Sequence, residues 1–140
     1  NVQNKYRNNN WSKYVDKFDL ITGKVNKYSP EEYLNQLSKS KFGLCLRGFG
    51  PKCNREIELL ALGVVLLVTP DVSLKYYNQL NEGQHYFKIN KPEDIPSIVN
   101  NCNQQQWEYM SQSCKKWYDD NCSPEGAFKV TMDIIEKKSI

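Results

Sequence analysis

The sequence predicts an α/β domain in which helices flank a parallel sheet. Within residues 41–69, a short apolar strand leads into a glycine-rich loop, then a helical pattern, then a second apolar strand. Strands that alternate with helices form βαβ units, and the strands of such a unit are parallel. With 140 residues the chain has the size of one domain that can bury its own core. We therefore expect a single domain over 1–140, closed by C-terminal helices at about 92–138.

Composition and charge exclude several functions. Nineteen Lys and Arg against sixteen Asp and Glu leave a net charge of +3, which is small for a protein that binds nucleic acid through a basic surface. The longest apolar stretch runs only from Leu59 to Val68, far short of the roughly 20 residues that span a bilayer. Five cysteines without a CxxC pair are typical of reduced thiols rather than of a disulfide framework. We expect no nucleic-acid partner, no membrane span and a reducing compartment, the cytoplasm.

The beginning of the chain carries two helix signals. After a polar start with Lys5 and Arg7, apolar residues recur at three- and four-residue intervals across 11–20, which indicates a short amphipathic helix or a turn. Ser29 and Pro30 then supply an N-cap and a first helical residue, and two glutamates follow where the helix dipole favours them. Because the chain starts without Met, we also expect it to be a fragment of a longer protein.

The predicted βαβ unit comes next. Apolar residues at 41–46 indicate a buried strand, and 47–51 reads as a glycine-rich loop. The helical pattern of 54–62 ends at Gly63, which stands where a C-terminal glycine belongs, and the β-branched residues of 64–69 predict the second strand.

The remaining elements continue the alternation and then close on helices. We expect a short helix or an ordered loop at 72–80, a turn at 81–83, a strand at 85–89, and helices that start near 91–94, span 103–117 and start at Ser123.

The segment between the first strand and its helix carries residues suited to bind a diphosphate. Ligands of open α/β sheets bind outside the carboxyl ends of the strands, where helix N-termini favour anions. Gly48 and Gly50 let a backbone approach a ligand closely, whereas Arg47 and Arg55 offer forked donors. Glu58 would either accept hydrogen bonds from ribose hydroxyls or be a solvated carboxylate on the helix surface. The spacing alone is equally compatible with a plain turn at the glycines and with pairing of Arg55 to a glutamate of its own helix.

These residues resemble the nucleotide-sugar half of the GT-B glycosyltransferases, in particular their exostosin-like group. In that group a strand ending in Cys-Pro-Arg-Gly leads to a helix with an arginine, then an acidic residue three positions later and a glycine five positions after that. The run Phe42 to Pro51, followed by Arg55, Glu58 and Gly63, is similar to this pattern.

The resemblance extends more weakly across most of the chain. Lys5 and Arg7 are similar to the basic residues that follow the first strand of the family's C-terminal domain, and residues 82–87 resemble the segment after the donor loop. Two departures lie in the strands, where Leu46 replaces the usual proline and residues 65–66 read Val-Leu instead of Ile-Pro.

The resemblance implies the C-terminal half of a GT-B fold, a Rossmann-like domain that binds a nucleoside-diphosphate sugar. The residues that would hold the donor are Arg7, Arg47, Gly48, Gly50 and Arg55 at the diphosphate and Glu58 at the ribose, with Lys5, Asn54, His85 and Tyr86 as further candidates. The arginines would stabilise the departing diphosphate electrostatically, so no metal and no other cofactor is expected. The catalytic base is expected on an N-terminal domain outside this chain, so the fragment alone would bind donor without transferring sugar.

Other partners follow from the same resemblance. They are a UDP- or GDP-linked sugar as donor, a glycan or another acceptor, and the N-terminal domain. A eukaryotic enzyme of this group would place the domain in the Golgi lumen instead of the cytoplasm. As the only histidine of the chain, beside two aromatic residues, His85 favours a structural role. The alternative function is a Rossmann-like module without catalysis, in which the basic loop docks an acidic partner or a phosphorylated ligand.

Overall fold

The computed structural model of the chain describes residues 29–46 and 54–138. In this part the elements are α1 (Pro30–Ser38), β1 (Phe42–Cys45), α2 (Asn54–Leu62), β2 (Val65–Val68), β3 (Tyr86–Lys88), α3 (Asp94–Asn101), α4 (Gln104–Asn121) and α5 (Pro124–Lys138). They form a small, open, parallel sheet flanked by helices, which confirms the α/β class and is compatible with a Rossmann-like fold. The short helix or turn expected at 11–20 lies outside the described residues.

The described sheet has the strand order β1-β2-β3. Both pairings are parallel: Cys45 is opposite Val68 at the end of β1, and Val68 is opposite Lys88 at the end of β3. The middle strand β2 is buried along its whole length. A strand covered on both faces needs a continuous apolar run rather than an alternating one, which is what Val65–Val68 supplies.

Helices cover the two faces of this sheet. On one face Leu66 and Val68 pack in a core with Leu59 of α2 and with Cys114 and Trp117 of α4. On the other face Leu67 and Ile89 form a second cluster, against which Ile95 and Ile98 of α3 pack. Gly43 lets α2 approach β1, since a Cβ there would lie 2.6 Å from Leu59 Cδ1.

Local signals mark the helix ends as the sequence predicts. Ser29 and Glu32 form a capping box, in which the Glu32 N–H donates to Ser29 Oγ over 3.2 Å and the Ser29 N–H donates to Glu32 Oε2. Ser123 likewise accepts from the Gly126 N–H at the start of α5. At the end of α2, Gly63 has a φ of +71° and the N–H of Val64 donates to Leu59 O, as in a Schellman motif.

Residues 72–80 form an ordered loop rather than a helix. Long-range contacts hold this loop: Trp117 Nε1 donates to Asn78 O over 3.2 Å, and the Tyr76 ring stands edge-on to the Trp117 ring with centroids 5.2 Å apart. Asn78 Nδ2 also donates to Asn121 Oδ1 over 2.7 Å. The loop is therefore fixed to the C-terminal half of α4.

None of the helices within 29–46 and 54–138 combines the length and the apolarity that crossing a bilayer requires.

Candidate functional site

The carboxyl edge of the sheet is the place where this fold can bind a ligand. The three described strands end there at Cys45, Val68 and Lys88, because all of them are parallel and in register. Helix α2 returns the chain from the end of β1 to the start of β2, so its first residue, Asn54, lies toward the same edge. The N–H groups of the first turn of α2 therefore face the region in which open α/β sheets bind anions.

Arg55 and Glu58 are the predicted site residues that the structure describes on α2. They are three positions apart on one helix, so their side chains neighbour each other on its surface, and both are half-buried. Within the described residues the two ion pairs are Lys116–Asp120 and Lys137–Asp133, so Arg55 is not paired with Glu58 there. The interpretation of Arg55 as the partner of Glu58 is not supported by this geometry.

Glu56 was not predicted to be a site residue, yet its side chain is fully buried. It belongs to the first turn of α2, where the positive end of the helix dipole favours a carboxylate.

A cavity of about 460 Å³ opens beside the ends of β2 and β3. Its polar walls are Thr69, Asp71, Lys75, Tyr86 and Lys88, and Val72 and Leu80 close it from the core. Thr69 continues β2 beyond its last paired residue, and its hydroxyl donates to Asp71 Oδ1 over 2.6 Å. The Thr69 N–H donates to Cys45 O over 3.4 Å, which ties the cavity to the end of β1.

His85 and Tyr86 are adjacent in the chain but lie in different environments. His85 precedes β3, so it lies toward the amino edge of the sheet, where it is buried and its Nδ1 accepts from the Asn81 N–H over 3.0 Å. Burial is the main cause that lowers the pKa of His85. Tyr86 is half-buried and lines the cavity. The structure thus brings Tyr86, and not His85, to the wall of this cavity.

Several predicted site residues lie outside the described residues: Lys5, Arg7, Arg47, Gly48 and Gly50. Asn54 is the first residue of α2. The roles expected for all of them stay predictions.

The described cysteines are thiols. Cys45, Cys102, Cys114 and Cys122 form no disulfide in this part of the chain. The Cys114 thiol donates to His85 O over 3.3 Å, and burial raises its pKa to about 12. Across residues 29–46 and 54–138, no three His, Cys, Asp or Glu side chains converge in a group that could hold a metal ion.

Comparison of the chain with known proteins found no matching family model, no matching curated protein and no matching solved structure.

Sequence reasoning missed most of the residues that line the cavity, in particular Thr69, Asp71 and Lys88, although it named Tyr86. One signal was present: Thr69-Pro70-Asp71 follows a buried strand, and polar residues directly after a parallel strand lie at the ligand edge of the sheet. Lys88 had no such signal, because its place beside Val68 depends on the register of β3.

Proposed function

We propose that this chain is the donor-binding domain of a glycosyltransferase, which holds a nucleoside-diphosphate sugar at the carboxyl edge of its sheet. The observation that carries the proposal is the pair Arg55 and Glu58, which lies on one surface of α2 near its N-terminus without forming an ion pair with each other. A guanidinium and a carboxylate that are adjacent but not paired can bind two different parts of one ligand.

The two side chains suit the two halves of a nucleoside diphosphate. The Arg55 guanidinium offers forked N–H donors that match phosphate oxygens, and the N–H groups of the first turn of α2 add donors of the same sign. The Glu58 carboxylate accepts hydrogen bonds from hydroxyl groups, which the ribose supplies next to the diphosphate. During transfer, negative charge grows on the departing diphosphate, so a fixed cation at this position lowers the barrier by electrostatic stabilisation.

Binding of UDP and GDP to single-site variants tests this assignment. Arg55→Ala is expected to weaken binding of the nucleoside diphosphate by about tenfold or more, since it removes a charge-assisted hydrogen bond. Arg55→Ala should also weaken binding of inorganic pyrophosphate. Glu58→Gln should weaken nucleoside-diphosphate binding but leave pyrophosphate binding unchanged, because its partner is the ribose. Isothermal titration of each ligand into each variant measures these effects.

Matched controls separate the site from general charge effects. Lys129→Ala and Glu136→Ala remove exposed charges from α5 and should leave both affinities unchanged. Retention of nucleotide affinity in Arg55→Ala and Glu58→Gln would refute the proposed site.

The module without catalysis makes a different prediction for the same protein. UDP- and GDP-sugars should then raise the melting temperature no more than simple anions do. Selective stabilisation by one nucleotide sugar supports the transferase.

A further inference from the structure

Helix α5 carries an apolar stripe on its surface, which consists of Phe128, Met132 and Ile135. The three residues stand at positions i, i+4 and i+7, so they share one side of the helix, and all three side chains are exposed. Single apolar side chains are common on protein surfaces, whereas several that adjoin each other are typical of a contact surface.

The contacts that hold α5 on the domain use its other side. Gly126 lies against the backbone of α4, where a Cβ would collide. Tyr77 Oη donates to Asp133 Oδ2 over 2.6 Å, and Lys137 Nζ donates to the same Tyr77 oxygen over 2.9 Å. At about 100° per residue, positions 126, 133 and 137 lie roughly opposite to the apolar stripe. The stripe therefore faces away from α4 and from the loop that carries Tyr77.

A shallow depression adjoins the N-terminal end of the stripe. Pro124, Glu125, Phe128 and Lys129 line it, its volume is about 380 Å³, and its walls are almost wholly apolar. The carbon chains of the glutamate and the lysine contribute to such a surface while their charged ends stay in water. The depression can therefore accept an apolar side chain.

Two exposed charges, Lys129 and Glu136, lie along one border of the stripe. Within 29–46 and 54–138 neither of them forms an ion pair. Both the charges and the apolar residues are placed almost symmetrically about Met132: Phe128 is four positions before it and Ile135 three after, whereas Lys129 is three before and Glu136 four after. A stripe of this kind is complementary to an antiparallel copy of itself.

We infer that α5 pairs with α5 of a second copy of this chain, antiparallel and about a twofold axis near Met132. Ile135 of each copy then lies in the depression beside Phe128 of the other, and each Lys129 lies beside the Glu136 of the other copy. Every contact occurs twice, as a twofold interface requires. A parallel pair lacks these ion pairs, because seven residues displace Lys129 from Glu136 by about 10 Å along the axis.

Sedimentation equilibrium of the chain tests the pairing. One helix from each copy buries less than the roughly 1,600 Å² of a standard interface, so we expect a weak dimer with a dissociation constant of about 10–100 µM. Phe128→Ser should weaken the dimer by about tenfold or more, because burial of the ring is lost. Tyr109→Ser is the matched control, since it removes an exposed aromatic ring from α4, and it should leave the dimer unchanged.

Two outcomes of this experiment would overturn the inference. One is a chain that stays monomeric up to about 1 mM, which would assign the stripe to another segment of the chain or to a different protein. The other is a dimer that Phe128→Ser leaves intact, with the fold confirmed by circular dichroism, which would place the contact elsewhere.

Charge reversal tests the antiparallel orientation without touching the apolar residues. Lys129→Glu and Glu136→Lys each bring like charges together in their own dimers, so each should weaken self-association by about fivefold. An equimolar mixture of the two variants should form a mixed dimer about as tight as that of the original chain, because both of its ion pairs then join opposite charges. A mixture that associates no more tightly than either variant alone would overturn the antiparallel pairing.

The dimer is independent of the proposed nucleotide site. Arg55 and Glu58 belong to α2 and take no part in the contact, so Arg55→Ala should leave the dissociation constant of the dimer unchanged. Failure of the dimer and failure of the nucleotide site are therefore distinguishable.

Discussion

At the scale of single residues, His85 shows how burial fixes a protonation state. Its Nδ1 accepts from the Asn81 N–H, so the ring proton of the neutral form is on Nε2. Protonation of Nδ1 would break this hydrogen bond and place a charge in a buried position. The backbone of His85 also contacts α4, because its carbonyl oxygen accepts a hydrogen bond from the Cys114 thiol. A structural role therefore fits His85 better than contact with a ligand.

This environment predicts a pH dependence of stability. Burial lowers the folded pKa of His85 below its ordinary value of 6.5, so the unfolded chain binds the proton more readily than the folded chain. The free energy of unfolding should therefore be constant above the unfolded pKa and decrease as the pH falls below it. Urea unfolding between neutral and mildly acidic pH measures this change.

His85→Asn provides the control for the pH effect. The asparagine side chain offers an oxygen acceptor near the position of Nδ1 but does not titrate, and His85 is the only histidine of the chain. The variant should lose the pH dependence over this window. A variant that keeps the wild-type pH dependence would contradict the assignment.

Gly63 and Gly83 form a matched pair for a second prediction at this scale. Both have a positive φ, +71° and +81°, so alanine at either position costs about 1–2 kcal/mol from the left-handed backbone alone. A Cβ at Gly63 would also lie 2.7 Å from Ser111 Oγ, which donates to Gly63 O, whereas a Cβ at Gly83 meets nothing within 4 Å. Gly63→Ala should therefore lower the free energy of unfolding further than Gly83→Ala, by about 1 kcal/mol or more. Equal losses in urea unfolding would contradict the close packing of α2 on α4.

At the scale of elements, the sequence correctly predicted helix ends, which depend on interactions between residues close together in the chain. The N-cap at Ser29 and the glycine at the end of α2 could be predicted because each depends on neighbours within a few residues. The loop at 72–80 stayed undecided between helix and loop, since its anchors, such as Trp117, lie far along the chain. The cavity was not predictable for the same reason: Asp71 and Lys88 meet only when β3 pairs with β2.

Helix α5 shows that a periodic apolar pattern can predict a helix without predicting which face of it is buried. Phe128, Met132 and Ile135 recur at helical spacing, and the helix is confirmed from Pro124 to Lys138. In the structure, however, these side chains are exposed, and Phe128 is 65% accessible. The element packs on α4 through Gly126 instead, where a Cβ would collide with the backbone of Asp119. A periodic apolar pattern predicted the helix correctly but did not identify the face that is buried.

At the scale of the whole molecule, one core joins the sheet to helices α2 and α4. Cys45 of β1 and Cys114 of α4 are both fully buried in the cluster that also holds Leu59 and Leu60 of α2. Cys102 and Cys122 lie at the ends of α3 and α4 and are half-buried. Access to the first two thiols therefore requires that the sheet and the helices separate.

Thiol labelling under native conditions tests whether this core opens as one unit. Iodoacetamide reacts with the thiolate, and the raised pKa of Cys114, about 12, leaves almost none at mildly alkaline pH. Cys102 and Cys122 should be alkylated first, whereas Cys45 and Cys114 should react more slowly and at a common rate set by opening of the core. Peptide mass spectrometry resolves the four sites, and full denaturation should make their rates similar. Labelling of Cys114 as fast as Cys122 would mean that α4 separates from the sheet without global unfolding, and the βαβ unit would then be stable without α4.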